Sequence, residues 1–503
     1  MALVQQGKLE AAIQMFNRGL DSDPANPVLL NAVGATYTLM GDEKKAKGYF
    51  LRVLKIEPRF LPARKNLAIS YFNCGEYDLA VPEFEQLTQT PGVAPTAYLF
   101  LGMIAEKRKQ IDKAVALLEK SGELLYQQPL ALLVFARSLY ELHQSEKGAL
   151  VLKLLDKIPG VSAADFYQAG LLYSRHGQYS DALQDFEKAR NLDSGLGDID
   201  YYRAFVLDEL GQPREALNVL RALASRRPDA RSLNLLGHVA QEIGDTQLAI
   251  QAFYHAAELK PEMEENYLDY SALCMNSENY TLSLDILDAG LAHIPHSYRL
   301  LIQKGAVLDK LTRRKEAEEV FRSAMRLQDD NRVAMISLAV AQAHDHRPDE
   351  ASETLSKAIE RYPGDAYMRY FYGSVLFQLA QRQGMKPEMA EHARNELERA
   401  IQLNPAYADA YFQLAKTYLD TDPMKAAEQL EACLRRKPDH YPAELQLARL
   451  YMKMGKQAEG EQLLRKAARD KQAEKEREDR LPRIEESDPF RNSLTTPQKE
   501  ERP

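Results

Sequence analysis

Apolar and polar residues alternate along this chain with helical spacing, in short blocks that come in pairs. Residues 169–189, AGLLYSRHGQYSDALQDFEKA, show the unit most plainly. Spacings of three and four residues set one apolar stripe on each of two helices, joined at His176-Gly177. Gly170 and Ala182 are the smallest side chains on those stripes, which lets the two backbones approach closely. Tyr173, Tyr179 and Phe186 fill the space on either side.

The pair recurs along nearly the whole chain. Its first small position reads Gly34, Ala68, Gly102, Ala136, Gly170, Ala204, Gly237, Ser271, Gly305, Ala339, Gly373, Ala415 and Ala448. The second runs from Ala12 to Gly460 and is always Gly, Ala or Ser. In each series the step is 34 residues, apart from two steps of 33 and one of 42. A large residue such as Phe50, Phe84, Phe186 or Leu220 follows four after the second small one. Gly41, Gly75, Gly177, Gly211, Gly244 and Gly455 mark the turn within a pair, where a helix ends in the left-handed conformation. Pro24, Pro58, Pro228, Pro261, Pro295, Pro363, Pro405 and Pro438 close many pairs by removing a backbone donor.

This pattern resembles the tetratricopeptide repeat, a 34-residue helix-turn-helix unit. The resemblance implies an all-α, right-handed superhelical solenoid of about 13.5 repeats making more than one superhelical turn. The array covers residues 1–471, with an opening half repeat over 1–26 and full repeats over 27–471. The family's usual Trp in the first helix gives way to Leu30, Tyr98, Phe166, Tyr267, Leu301 and Tyr411 among others, which keep bulk. Arg64, Asp200, Arg369 and Glu444 stand there in four repeats, where the spacing predicts a looser interface or a turned helix. Eight extra residues between Gly373 and Ala393, around Gly384 and Pro387, predict a longer inter-helix loop, read as a surface insertion ahead of a contact loop. Residues 471–480 extend the last helix, and residues 472–503 form a charged tail, disordered beyond Pro482 for want of apolar residues.

Composition narrows the function more than the fold. A formal net charge of -8 argues against a phosphate-driven nucleic-acid interface. No run approaches the roughly 18 apolar residues of a membrane helix. Trp is absent, while 26 Tyr and 16 Phe supply the aromatic packing. Cys74, Cys274 and Cys433 are too scattered for a disulfide framework or zinc site and read as small buried thiols. Opening on half a unit, the chain is expected to be truncated or to follow an upstream segment. Its compartment is cytoplasmic as the sequence stands, and periplasmic or envelope-associated where an upstream export signal precedes it.

Catalytic motifs are lacking: no phosphate loop, nucleophile elbow, H-E-x-x-H or dinucleotide fingerprint occurs. The pair His344 and His346 lies at a turn and reads as polar filler, not as a metal site. Arg221, Arg226, Arg227 and Arg231 read as a solubilising edge. No cofactor, metal or catalytic residue is assigned. The resemblance implies that function lies on a concave groove lined by the first helices. Relatives that grip the acidic tails of heat-shock chaperones carry a carboxylate clamp. Here Asn66 alone fits one of its slots, beside Asn31, Ala35, Thr96 and Phe100. The Asn ladder of sugar-transferring relatives is missing too, with Ala32, Phe100, Val134 and Gln168 at ladder positions.

Two aromatic clusters remain on the groove face: Tyr167, Tyr201, Tyr202 and Phe205, then Tyr370, Phe371 and Phe412. Exposed Tyr and Phe in a concavity anchor peptides; the alternative is that they bury against the preceding repeat's second helix. The leading expectation is a non-enzymatic scaffold that holds peptide or helical segments of partner proteins in its groove. An exported envelope or assembly subunit is the alternative, as is the repeat arm of a transferase whose catalytic domain lies elsewhere.

Overall fold

A computed structural model describes residues 2–328 and 331–479. Its contacts divide the chain into two units, Met1–Val219 and Leu220–Pro503. Among the described residues there are 28 α-helices, two 3-10 segments and no strand. In each unit most successive helices pack in sequence order, and the first helices of most neighbouring repeats also touch. Each unit is therefore a stack of helix hairpins, as the repeat spacing predicts.

The small residues act at the helix crossings. A Cβ added to Gly170 would stand 2.7 Å from the Phe186 ring, and one on Gly102 would meet the Leu118 side chain at 2.6 Å. The helices Ala163–Arg175 and Tyr179–Leu192 thus close around a ring that occupies the space of a missing methyl group. Phe50, Phe84, Phe186, Phe253 and Phe321 are all fully buried at equivalent positions. Ser162 and Asp165 form a capping box at the start of the Gly170 repeat, satisfying donors that the helix start leaves open.

Most turns within a repeat keep one backbone conformation whatever residue occupies them; the turn after Tyr418 has no left-handed residue, and the one at Gly384 and Met385 has two. Gly41, Gly75, Gly177, Gly211, Gly244 and Gly455 have φ between 69° and 81°. Where glycine is missing, Lys109, His143, Glu278, Thr312 and His346 take φ of 57° to 61°. Left-handed backbone costs a residue with a Cβ about 1–2 kcal/mol, so the array imposes its turn on side chains that disfavour it.

The structure corrects three expectations. First, the extra residues after Gly373 do not make a longer loop. The helices Ala366–Arg382 and Pro387–Leu403 have 17 residues each, against 13 and 14 in the Gly170 repeat. The insertion is shared between two helices, each about one turn longer, and the connection stays short. An extra turn per helix satisfies its own backbone hydrogen bonds, which a longer loop would not.

Second, the four charged residues at the usual Trp position do not loosen the interface. Arg64 donates to Glu83 at 2.6 Å and to the Pro58 carbonyl at 2.8 Å. Arg369 repeats this with Glu396 at 2.6 Å and the Pro363 carbonyl at 3.0 Å. Asp200 is held by Arg203 at 2.9 Å and Arg190 at 3.0 Å. Glu444, fully buried, pairs with Lys466. Each charge replaces aromatic bulk with an ion pair inside the repeat, and Asp200 also pairs across to the preceding repeat through Arg190.

Third, Cys74 is exposed, whereas Cys274 and Cys433 are buried as expected. Cys74 caps the helix Leu61–Asn73 and precedes the turn at Gly75, outside the packed stripe. Burial pushes the Cys433 thiol up to about 11.

At the chain start a four-residue helix, Ala2–Gln5, packs on Leu9–Ser22. The last helix runs from Gln457 to Asp479. The disorder expected beyond Pro482 falls outside the described residues. No described helix is long and apolar enough to cross a membrane.

Candidate functional site

In the first unit, the helices Ala163–Arg175 and Ile199–Glu209 lie side by side and carry the first aromatic cluster. Tyr167 and Tyr202 meet edge to face with centroids 6.0 Å apart, and Tyr201 meets Tyr202 at 5.2 Å. Tyr202 also stacks on the buried Phe186 at 5.8 Å, while Phe205 packs edge-on against Tyr179 at 6.3 Å. All four candidate side chains are half-buried. Beneath them Arg203, nearly buried, donates to Asp200 at 2.9 Å and through Nε to Glu187 at 2.9 Å. Two-carboxylate bonding of a guanidinium fixes its plane, and with it the register of the helix that presents Tyr201 and Tyr202.

Phe186 belongs to the second helix of the preceding repeat. Tyr202 and Phe205 therefore serve packing as well as surface, and truncating Tyr202 carries a thermal cost that a free anchor would not. Tyr201 stands edge to face on Tyr202.

In the second unit, Tyr370 and Phe371 come together at 5.1 Å. Two residues outside the sequence-derived cluster complete the surface. Tyr407 lies 4.8 Å from both Tyr367 and Tyr370. Tyr367 is 54% exposed, and burial raises the hydroxyl pKa values of Tyr370 and Tyr407. Tyr407 was missed because it stands just before the helix Ala408–Tyr418, off the face counted as groove. Tyr367, on that face, could have been found from its position one turn before Tyr370. Phe412 lies one repeat further, tilted against His440 at 4.8 Å, with the Lys416 ammonium 5.9 Å from its ring. Burial lowers the Lys416 pKa. His440 Nδ1 accepts from the Ala443 amide at 3.1 Å, so Nε2 carries the proton that faces Asp409 at 3.1 Å.

The second unit also carries a polar patch. Asn234 donates to Asp269 at 2.9 Å, and His238 lies 3.1 Å from the same carboxylate. Burial opposes ionisation of Asp269, yet its bonds from His238 and Asn234 hold the carboxyl below its ordinary value. No group of three or more His, Cys, Asp and Glu among the described residues is placed to hold a metal ion. Together these surfaces offer rigid rings with polar tips and fixed hydrogen-bonding groups, a chemistry of binding.

Comparison with known proteins agrees with the hairpin stack. Family models described as tetratricopeptide repeat match residues 174–239, 312–374 and 420–477, then 65–122, and then 1–26 and 230–263. The cellulose synthase operon protein C of Pseudomonas fluorescens (strain SBW25) is 23% identical over 65% of this chain and 27% of its own length. Anaphase-promoting complex subunit 3 of Schizosaccharomyces pombe is 24% identical over 36% of this chain and 27% of its own. The chain thus spans about a quarter of the length of these two relatives. A crystal structure of yeast Tom70 aligns over 98% of this chain and 93% of that one, with 15% identity and a TM-score of 0.41. Matched across more than half its length by tetratricopeptide repeat models, the chain belongs to the tetratricopeptide repeat family.

Proposed function

We propose that this protein is a non-catalytic interaction scaffold that holds peptide or helical segments of partner proteins against the faces of its first helices. The observation that carries this reading is the Tyr367–Tyr370–Phe371–Tyr407 surface, where four rings gather and Tyr367 remains half exposed. Rigid rings bury much area on binding at low entropic cost. The companion relative is named as a subunit of a larger complex, which accords with a binding role. Tyr201, with Tyr167, Tyr202 and Phe205, forms the second anchor region, and Phe412 a third contact point.

A photo-crosslinking amino acid at position 367 tests the proposal. It should trap a partner segment in cells, and Tyr367→Ser should lower partner recovery at least about fivefold while costing no more than about 1.5 kcal/mol of stability, the loss of its ring contact with Tyr407. Undiminished recovery by Tyr367→Ser and by Tyr201→Ser would refute it.

An exported subunit of an envelope assembly stands as a second reading; the relative matched over 65% of this chain is named for a cellulose synthase operon. Fractionating cells that express the full gene distinguishes the two.

A further inference from the structure

We propose that the second unit carries a binding pocket for the phosphate group of a small ligand, on the ledge made by its lengthened repeat. The cavity measures about 520 Å³ and lies where three successive repeats meet at their turns. Its polar lining is Arg314, His344, His346, Gln378, Gln381 and Arg382. That is two guanidinium groups, two imidazoles and two amides, with no carboxylate among the lining residues.

The ledge exists because of the insertion. The preceding first helix ends at His344, whereas Ala366–Arg382 continues for one more turn past the equivalent Gln378. That turn brings Gln381 and Arg382 over the neighbouring turn, where Arg382 donates to the His346 carbonyl at 3.0 Å. One bond leaves most of the five guanidinium donors unused. Arg314 also lines the cavity, and its Nε, itself buried, lies 3.9 Å from Asp309 Oδ1. His344 is oriented by Asp309, which lies 2.8 Å from its Nδ1, and this leaves Nε2 for a ligand.

Neighbouring charges do not fill the cavity. Asp345 and Glu350 are occupied by Arg347 at 2.9 Å and 2.8 Å. Asp309 touches His344 and Arg314 but does not line the pocket, and it offsets one of the two guanidinium charges. Unspent guanidinium forks beside amides match the tetrahedral, multiply charged phosphate group. The volume falls within the range of small-molecule sites and leaves room for more than the phosphate itself.

Calorimetric titration of the full chain with inorganic pyrophosphate tests the assignment, with citrate as a carboxylate of comparable charge. Saturable pyrophosphate binding is expected, weakened at least about tenfold in Arg382→Gln and in Gln381→Glu, with citrate at least about tenfold weaker than pyrophosphate. The Gln381 side chain is exposed, its backbone carbonyl accepting from the Gly384 amide at 3.4 Å, so its substitution decides the matter should Arg382→Gln fail to fold. Absence of pyrophosphate binding by the wild type, unchanged binding by the variants, or equal binding of citrate would overturn the proposal.

Discussion

At the scale of single residues, the fold turns on a few side chains that no tolerance surrounds. Gly170→Ala brings a gain of about 0.5–1 kcal/mol in helix propensity. It also sets a methyl 2.7 Å from the Phe186 ring, and overpacking of this kind costs about 1–3 kcal/mol. The clash wins, so the variant should unfold at lower denaturant than the wild type in a urea titration. Asp185 makes a pH-dependent contribution. It is 5% exposed, and burial pushes its carboxyl up to about 6 from 3.8, against the opposing pull of Lys188. With the folded pKa raised, the native state binds the proton more tightly than the unfolded chain between about pH 4 and 6. Stability therefore falls as pH rises through that window and stays lower above it. Asp185→Asn mimics the protonated form. Melting curves from acid to neutral pH should show a flatter slope, with about 1–2 kcal/mol gained at pH 7.

At the scale of helices and turns, the repeat period dictated nearly everything that a local pattern can dictate. Helix pairs, crossing points and glycine turns all follow from residue types at fixed intervals. The limits are physical. Spacing alone cannot say whether inserted residues enter a loop or lengthen two helices, because both restore the register at Ala393. Nor does it show that Arg64 and Arg369 reach a glutamate of the second helix and a carbonyl of the preceding turn. Those partners are set by three-dimensional neighbours. The candidate surface was legible in the same measure: the helix face predicts Tyr201 beside Tyr202 and Tyr370 beside Phe371, as they lie, whereas Tyr407, which joins Tyr370, flanks a helix and escapes that count. Turns without glycine hold strain that can be relieved. Thr312, β-branched at φ 61°, is the least suited to its position. Thr312→Gly should stabilise by about 0.5–1 kcal/mol, the relief of left-handed strain less the entropy of glycine in the unfolded chain, readable as a higher denaturation midpoint.

At the scale of the molecule, stability accumulates repeat by repeat, since each hairpin packs chiefly on its neighbours. Charges buried within repeats, such as Glu444 with Lys466, bind a hairpin to itself and add little between distant repeats. Such an array does not unfold as one cooperative block. Far-ultraviolet circular dichroism and the fluorescence of a dye on Cys74 should give midpoints that do not coincide in guanidinium; superimposable transitions would contradict this. Cys74 stands at an exposed turn, while Cys274 and Cys433 are interior to two other repeats. The chain consequently carries its own set of clocks: one thiol that labels at once, and two whose labelling waits for their surroundings to open. With an excess of a thiol reagent under native conditions, the two slow rates report the local opening free energies of two repeats separately, with no substitution needed to install the reporters.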